Sequence, residues 1–419
     1  MVRKYVFCVS DVAGGAEGGG GGGGGGGCEE AGEVPQQREE ADALHRKNDE
    51  LHRALNACKN QISRYYHNRK WDMCKKFTNE YELVFTSSFE HPGIAAHVPI
   101  SRSFFKLWEM LHDFGDELVS GTAPALRAVF LAEGPGGFME SFAKYRAGPD
   151  GTRDVQDVMH GMTLMSKHKN IPNWKVLSMF RAPSAQLHIH RGADGTGDLY
   201  NVANIDALVA DAGEAACDFV TADGGFDFSN DFNNQEGTSL RLVLSEVYAA
   251  LRLQAKGGSF VLKVYDMHAP ATLQLLCVLR KSYGAMRFVK PLTSRPANSE
   301  KYVMCTAFRG APAAVMRALR AACMAGGTPA IIDRHLQDVA AVPVPMLQNI
   351  IDYNTHYIAR QVCYISRTIL LIQEGDSAKH DAADRLRMQL RKSLRWCHKY
   401  HIPSSLPSLN KYRDAVTAT

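Results

Sequence analysis

The stretch FLAEGPGGFMESF, residues 130–142, decides the fold. It opens as an apolar strand, passes through a turn with three glycines and a proline, and continues with the spacing of an amphipathic helix. A glycine turn between a strand and a helix fixes backbone N–H groups where a ligand can meet them. The turn does not end in the lysine and serine or threonine of a P-loop. The alternative interpretation is a tight strand–helix turn that binds nothing.

Short apolar strands alternate with helices on both sides of this turn. Alternation of this kind predicts an α/β fold, a mostly parallel sheet with helices on both faces, and ligands bind beyond the carboxyl ends of its strands. The predicted strands are residues 126–133, 217–223, 258–266, 286–291 and 300–308, and the predicted helices start near 137 and cover 239–255 and 269–283.

The acid in the glycine turn narrows the ligand class. Glu133 directly precedes Gly134, and a carboxylate there suits a cationic or amino-bearing ligand better than a bare phosphate. S-adenosylmethionine (SAM), which carries a sulfonium and an amino acid group, has this chemistry.

The N-terminal region divides into a tail and a helical segment. Residues 10–40 hold a run of ten glycines at 18–27 and few large apolar side chains, which predicts a flexible tail, since little apolar surface can offset the entropy of ordering. Apolar spacing then predicts helix over residues 38–90. Aromatic and basic residues mix over residues 62–85. Their helical spacing favours aromatics packed on the core over a nucleic-acid-facing surface.

Composition excludes several function classes. The 48 basic residues nearly balance the 44 acidic ones, so charge alone does not indicate a nucleic-acid partner. The ten cysteines form no CxxC pair or cluster with zinc spacing, which predicts reduced thiols and no metal site. No apolar run is long enough to span a bilayer, about 20 residues, so we expect a soluble intracellular protein without membrane contact.

Four charged residues stand near predicted strand ends or on a neighbouring helix. Asp223 and Lys263 each follow a predicted strand, Glu300 heads one, and Lys106 lies in the helical SRSFFKLWEML. Taken singly, each has the ordinary interpretation of a solvated or capping residue. The shared sheet edge makes Asp223 and Lys263 the stronger candidates.

Several motifs together resemble one family. FLAEGPGGF, ADGGF, LKVYD and SRPANSEKY are similar to segments of the FtsJ-like RNA 2'-O-ribose methyltransferases, as are SRSFFKLWEM, GMTLM at 161–165 and DGTGDLYNVANI at 194–205. Within that family they most resemble the cap-specific mRNA (nucleoside-2'-O-)methyltransferases of cells and large DNA viruses. The resemblance covers roughly residues 80–310. It implies a Rossmann-like SAM-dependent methyltransferase fold with N- and C-terminal helical extensions.

The resemblance also implies a mechanism. The family uses a Lys-Asp-Lys-Glu tetrad, matched here by Lys106, Asp223, Lys263 and Glu300. Lys263 would take the proton of a ribose 2'-hydroxyl as its oxygen attacks the methyl group. Lys106 should lower the pKa of Lys263, whereas Asp223 and Glu300 oppose that effect and orient the two lysines. The sequence alone does not decide whether the net pKa of Lys263 is raised or lowered.

The remaining expectations are also implied by the resemblance. The first transcribed nucleotide of capped mRNA is the expected substrate, with ribosomal or transfer RNA, or a non-catalytic RNA-binding role, as alternatives. Other capping enzymes are expected partners. The expected segments are a tail (1–40), a helical segment (41–95), the methyltransferase domain (96–310) and a helical extension (311–419). Expected SAM contacts are Gly134, Pro135, Gly136, Gly137, Phe138, Asp198 and Asp223, and expected RNA contacts are Arg102, Asn234, Ser294, Arg295 and Asn298.

Overall fold

A central β-sheet organises the chain. The computed structural model describes residues 7–8, 30–66, 69–86, 91–148, 150–168, 171–175, 186–228, 231–375 and 382–417. The strands in these residues are β1 (Phe7–Cys8), β2 (Arg127–Leu131), β3 (Val158–Met162), β4 (Gln186–His190), β5 (Cys217–Ala222), β6 (Gln254–Val264), β7 (Tyr283–Val289) and β8 (Lys301–Phe308).

The strand order is β1-β7-β8-β6-β5-β2-β3-β4. The five strands from β6 to β4 in that order are mutually parallel, whereas β8 runs antiparallel to both β6 and β7. The predicted fold class is therefore confirmed, as are the five predicted strands. β3 and β4 were not predicted.

Helices cover both faces of the sheet. They are α1 (Glu30–Lys59), α2 (Ser63–Tyr66), α3 (Lys70–Thr78), α4 (Ser103–Leu118), α5 (Gly137–Arg146), α6 (Val202–Ala212), α7 (Gln235–Leu253), α8 (Pro270–Ser282), α9 (Ala313–Met324), α10 (Pro329–Leu336), α11 (Val344–Glu374), α12 (Ala382–Lys399) and α13 (Leu406–Thr417). A 3₁₀ turn spans Glu82–Val84.

Two apolar cores hold these layers together. On one face the sheet packs against α6 to α11, and on the other it packs against α4 and α5. Burial of side chains such as Phe130 and Phe219, both fully inaccessible, supplies the main stabilisation. The polar ends of the parallel strands are thereby left at one rim, where ligands can bind.

The N-terminal region differs from its prediction in two respects. Within the predicted tail, Phe7–Cys8 pair with β7 and α1 already begins at Glu30, in a glutamate- and glutamine-rich stretch that favours helix. The decaglycine run lies outside the described residues. The helix predicted over 38–90 is confirmed as far as Lys59 and over α2 and α3, but it is not continuous and does not extend beyond Thr78. The chain turns after Lys59 and again at Arg69, whose φ of 58° is left-handed.

The large apolar side chains of α3 and of the following turn lie partly in the core and partly on the surface. Trp71 and Tyr81 are buried, which confirms the predicted packing, whereas Met73 and Phe77 are 61% and 37% exposed. The N- and C-terminal helices pack on each other, with α11 against α1 and α3, and α12 against α3. The segment boundaries predicted from the sequence stay a prediction. Among the described helices, none is long and apolar enough to cross a membrane.

Candidate active site

A cavity of about 430 Å³ opens where the parallel strands end. The residues just after β2, β3 and β5 line it, including Gly134, Thr163 and Asp223. Arg102 and Lys263 line it as well. Its volume lies within the range of roughly 300–1,000 Å³ typical of small-molecule sites. The glycine turn of residues 134–137 therefore stands at the rim of a real pocket.

The four tetrad residues come together beside this cavity as two ion pairs. Lys106 Nζ lies 2.6 Å from Glu300 Oε2, and Lys263 Nζ lies 3.1 Å from Asp223 Oδ1. The amine of Lys263 also donates to the backbone carbonyl of Asp223 at 2.7 Å. Each amine is thus held by one acid, which gives the two lysines separate, fixed positions.

Neighbouring hydroxyls lock the two acids in turn. The Tyr302 hydroxyl donates to Asp223 Oδ1 at 2.8 Å, and the Ser294 hydroxyl donates to Glu300 Oε1 at 2.8 Å. Tyr302 reaches this place because β8 pairs with β6 and sets it opposite Lys263. The sheet register therefore fixes the geometry of the tetrad.

Electrostatics favour the charged forms of Glu300 and Lys263. Burial would raise the pKa of Glu300, but Lys106, Lys263 and Lys290 outweigh it and lower that pKa to about 2. Burial would likewise lower the pKa of Lys263, but Asp223, Tyr265 and Glu300 raise it above its ordinary value. The sequence left the net direction of this pKa open, and in the structure the effect of the acids dominates.

Glu133 lies behind the cavity wall. It is 4% exposed, and Thr221 donates its hydroxyl to Glu133 Oε1, whereas Oε2 has no partner among the described residues. Burial raises the pKa of Glu133 well above its usual range. Glu133 is buried and does not line the cavity, so the carboxylate that the sequence suggested beside the ligand is not found there.

Some of the predicted cofactor residues line the cavity, and others are buried behind its wall. Gly134, Asp198 and Asp223 line the cavity, and a Cβ on Gly134 would lie 2.2 Å from the carbonyl oxygen of Pro172. Only glycine fits so close an approach. Phe138, in contrast, is fully buried and packs its ring 5.7 Å from that of Tyr302.

The other two glycines and the proline shape the turn itself. Gly136 has a φ of 113°, a left-handed conformation that favours glycine at the start of α5. A Cβ on Gly137 would lie 2.2 Å from the hydroxyl oxygens of Ser101 and Ser103, so α5 approaches α4 closely there. The Pro135 carbonyl accepts the backbone N–H of Lys175 at 3.0 Å.

Four of the predicted RNA residues lie near the Lys106–Glu300 pair, and each already has a partner within the protein. Ser294 is buried, and the half-buried Asn298 accepts a hydrogen bond from Lys290 Nζ to its side chain at 2.8 Å. Arg102 and Arg295 both bind the buried Glu82, at 3.1 and 2.7 Å.

Asn234 lies in a different place. It is exposed at the start of α7, where its backbone N–H donates to Asp231. The structure does not bring it into contact with the tetrad residues, so its RNA contact stays a prediction.

Sequence reasoning missed Lys290. Its amine donates to the carbonyls of Asn298 at 2.9 Å and Glu300 at 2.6 Å, and to the hydroxyl of Ser294 at 3.3 Å. Lys290 thereby ties the turn over residues 294–300 to the end of β7. Its place at a strand end, before the polar turn that carries Glu300, is the one signal in the sequence that could have identified it.

Comparison with known proteins agrees with this geometry. The model of the FtsJ-like methyltransferases matches residues 99–308, half of the chain. The chain belongs to the FtsJ-like methyltransferase family. The matched region contains all four tetrad residues and every strand from β2 to β8. The helices α1 to α3 and α9 to α13 lie outside it.

Individual family relatives carry a common name. The cap-specific mRNA (nucleoside-2'-O-)-methyltransferase 1 of Trypanosoma cruzi is 32% identical over 219 residues, covering 51% of this chain and 58% of that protein. The protein of the same name from Leishmania braziliensis is 39% identical over 186 residues, or 43% of each chain. The chain thus spans about half the length of these relatives.

A solved structure is also similar. A ribosomal RNA methyltransferase from Plasmodium falciparum aligns with a TM-score of 0.34 and 16% identity, over 50% of this chain and 98% of its own.

Proposed function

We propose that this chain is a SAM-dependent RNA 2'-O-ribose methyltransferase that modifies the first transcribed nucleotide of capped mRNA. The observation that carries the proposal is the tetrad, in which two amines and two acids meet beside a cavity at the rim of the sheet. The names of the relatives from Trypanosoma and Leishmania support the choice of capped mRNA.

The cavity suits SAM as the methyl donor. Its lining combines close backbone approach at Gly134 and Gly197 with the carboxylates of Asp198 and Asp223. A Cβ on Gly197 would lie 2.1 Å from the carbonyl oxygen of Thr163, so only glycine fits at this position. SAM supplies a methyl group on a positively charged sulfonium, which leaves as a neutral thioether. Asp198 and Asp223 place negative charge where such a cation would bind.

Lys263 is the proposed general base. Its amine lines the cavity and is held by the carbonyl and carboxylate of Asp223. The raised pKa favours the protonated form of this amine. A positive charge bound beside it would lower that pKa, so Lys263 could lose its proton to solvent. The neutral amine would then accept the proton of a ribose hydroxyl as the hydroxyl oxygen takes the methyl group and the sulfonium becomes a neutral thioether.

Lys106 and Glu300 complete the site from the other side. The amine of Lys106 is held by Glu300, and an amine at that place favours negative charge developing on a ribose oxygen nearby. We propose Arg102, Ser294, Arg295 and Asn298 as RNA contacts, since they surround this pair. Correct placement of the hydroxyl and methyl group would then supply most of the acceleration.

The test is methyl transfer from tritiated SAM to three RNAs: a capped transcript, the same transcript uncapped, and a structured ribosomal RNA fragment. We expect transfer to the capped transcript alone. Lys263→Ala should abolish it with SAM binding nearly unchanged. Lys256→Ala, at the opposite end of β6, is the matched control.

Other outcomes would identify the alternatives. Equal transfer to the uncapped or ribosomal RNA would point to a ribosomal or transfer RNA enzyme. RNA binding without any transfer would point to a non-catalytic subunit. Near-normal turnover of Lys263→Ala would contradict the general-base assignment.

A further inference from the structure

Basic residues concentrate on two helices outside the family-matched region. Helix α12 carries six basic residues against one acidic residue, and α3 carries three lysines against one aspartate. Four of these charges are neutralised locally. Their pairs are Lys392 with Glu80, Lys75 with Asp72, Arg387 with Asp384 and Lys399 with Asp113. Others, such as Arg391, point into solvent. The two helices therefore present a net positive surface.

A groove runs between these helices. Its volume is about 140 Å³, and its lining includes Met73, Lys76, Phe77 and His91. We call it the α3–α12 groove. The Phe77 ring is 37% exposed and stands edge-on to the His91 ring at 6.3 Å, and Met73 beside it is 61% exposed. Apolar and aromatic surface is thus displayed beside Lys76, and α12 contributes Gln389 to the lining.

The groove is rigidly built. The side-chain amide of Gln389, on α12, donates to the backbone carbonyls of Lys76 at 2.8 Å and Asn79 at 2.7 Å, at the end of α3. Gln389 is 3% exposed, so these bonds are shielded from water. They satisfy carbonyls that a helix end leaves without partners, and they fix α12 against α3.

The same groove adjoins the candidate active site. Glu82 lines the groove and accepts hydrogen bonds from Arg295, at 2.7 and 3.0 Å, and it pairs with Arg102 at 3.1 Å. Arg102 in turn lines the cavity proposed for SAM. One buried carboxylate therefore connects the groove to the rim where the tetrad lies, so a polymer held at the rim can extend over the groove.

The chemistry of the groove favours a polyanion that carries aromatic rings. Exposed cations on α3 and α12 attract phosphates, and an exposed ring accepts a stacked base of any sequence. A second copy of this chain is disfavoured, because it would bring two surfaces of the same positive sign together. We propose that the α3–α12 groove binds the single-stranded RNA that adjoins the methylated nucleotide.

This inference rests on the proposed function for the identity of the RNA, but its test does not need turnover. Fluorescence anisotropy with a labelled 20-nucleotide single-stranded RNA measures binding in the absence of SAM. Lys76→Glu and Phe77→Ala should each weaken binding about tenfold. Lys76→Glu should also flatten the dependence of log Kd on log salt, by roughly 0.7 for each lost phosphate contact. Lys256→Glu, at the far end of β6, is the charge-matched control.

Two further measurements separate this proposal from others. Thermal unfolding midpoints of the variants within a few degrees of the parent exclude loss of folding. In methyl transfer, the KM for a long capped transcript should rise about tenfold relative to that for a capped mononucleotide, which carries no RNA beyond the methylated nucleotide. If the groove variants lose RNA binding but the parent protein methylates none of the RNAs, the result supports RNA binding in the groove and contradicts the proposed function.

The proposal is overturned by any of three results. The first is that the groove variants bind RNA as tightly as Lys256→Glu. The second is that long and short substrates lose activity equally. The third is that an acidic polypeptide such as polyglutamate displaces RNA at equal charge concentration, which would show a site for an acidic protein instead.

Discussion

Replacing Glu300 by glutamine removes one negative charge from the tetrad while keeping its shape. The amide can still accept the hydroxyl of Ser294, but it no longer compensates the ammonium of Lys106, which lies 2.6 Å away in the parent. A hydrogen bond between charged groups contributes about 1.5–3 kcal/mol. Since about 1.4 kcal/mol is a factor of ten, we expect kcat to fall roughly ten- to 150-fold.

The same substitution should move the pH profile in a defined direction. The carboxylate of Glu300 helps to raise the pKa of Lys263, so its removal lowers that pKa. Burial, Asp223 and Tyr265 act on that pKa more strongly than Glu300 does, so we take the lower end of the usual range, about one pH unit. Because the deprotonated amine is the base, the rising limb of kcat should shift by that amount toward lower pH.

The assay is single-turnover methyl transfer from tritiated SAM between pH 6 and 10. Glu117→Gln, which removes an ion pair with Arg287 at the surface, is the matched control and should leave both rate and profile unchanged. A fall in rate with an unmoved limb would refute the coupling of Glu300 to Lys263. A shift toward higher pH would refute the sign of that coupling.

Three other predictions follow from contacts around the site. Gly225→Ala places a Cβ 2.9 Å from Lys263 Nζ, so methyl transfer should fall at least about tenfold at unchanged unfolding midpoint, whereas Gly121→Ala should not affect it. Lys290→Met removes the hydrogen bonds that hold the turn over residues 294–300. The KM for RNA should rise about tenfold, and backbone amide exchange in this turn should accelerate. Unchanged amide exchange would contradict the role of Lys290 in positioning the turn. Burial would raise the pKa of Asp266, but Lys59 and Lys301 outweigh it and lower that pKa from 3.8 to about 2. The free energy of unfolding should therefore contain about 2 kcal/mol that is present above pH 4 and lost as the pH falls toward 2. Urea titrations at pH 5 and pH 2.5 should show this loss for the parent and not for Asp266→Asn.

Much of the fold could be predicted from the sequence because its pattern is strong where the sheet is buried. β2, β5 and β6 are short apolar runs that end at glycines or charged residues, and this pattern placed their carboxyl ends correctly. β4 was missed because it is an edge strand, and its alternating QLHIH holds two histidines in place of an apolar run. β3, with its central histidine and glycine, was missed for the same compositional reason.

The tetrad was predictable as a set of residues but not as an electrostatic unit. Motif resemblance named Lys106, Asp223, Lys263 and Glu300, and the structure pairs them. The direction of the Lys263 pKa depends on distances of about 3 Å, which spacing along the chain does not contain. Lys290 was missed for a related reason, since its role is to hold backbone carbonyls of a turn whose shape the sequence does not show.

The most direct measurement of the central claim is the position of the transferred methyl group. A capped transcript is incubated with the protein and tritiated SAM, digested with a nuclease that leaves the cap joined to the first nucleotide, and analysed by mass spectrometry. The account predicts label on the 2'-oxygen of the first transcribed nucleotide, with the adjoining phosphodiester becoming resistant to alkali. Label on a base, or spread over internal nucleotides, would contradict it.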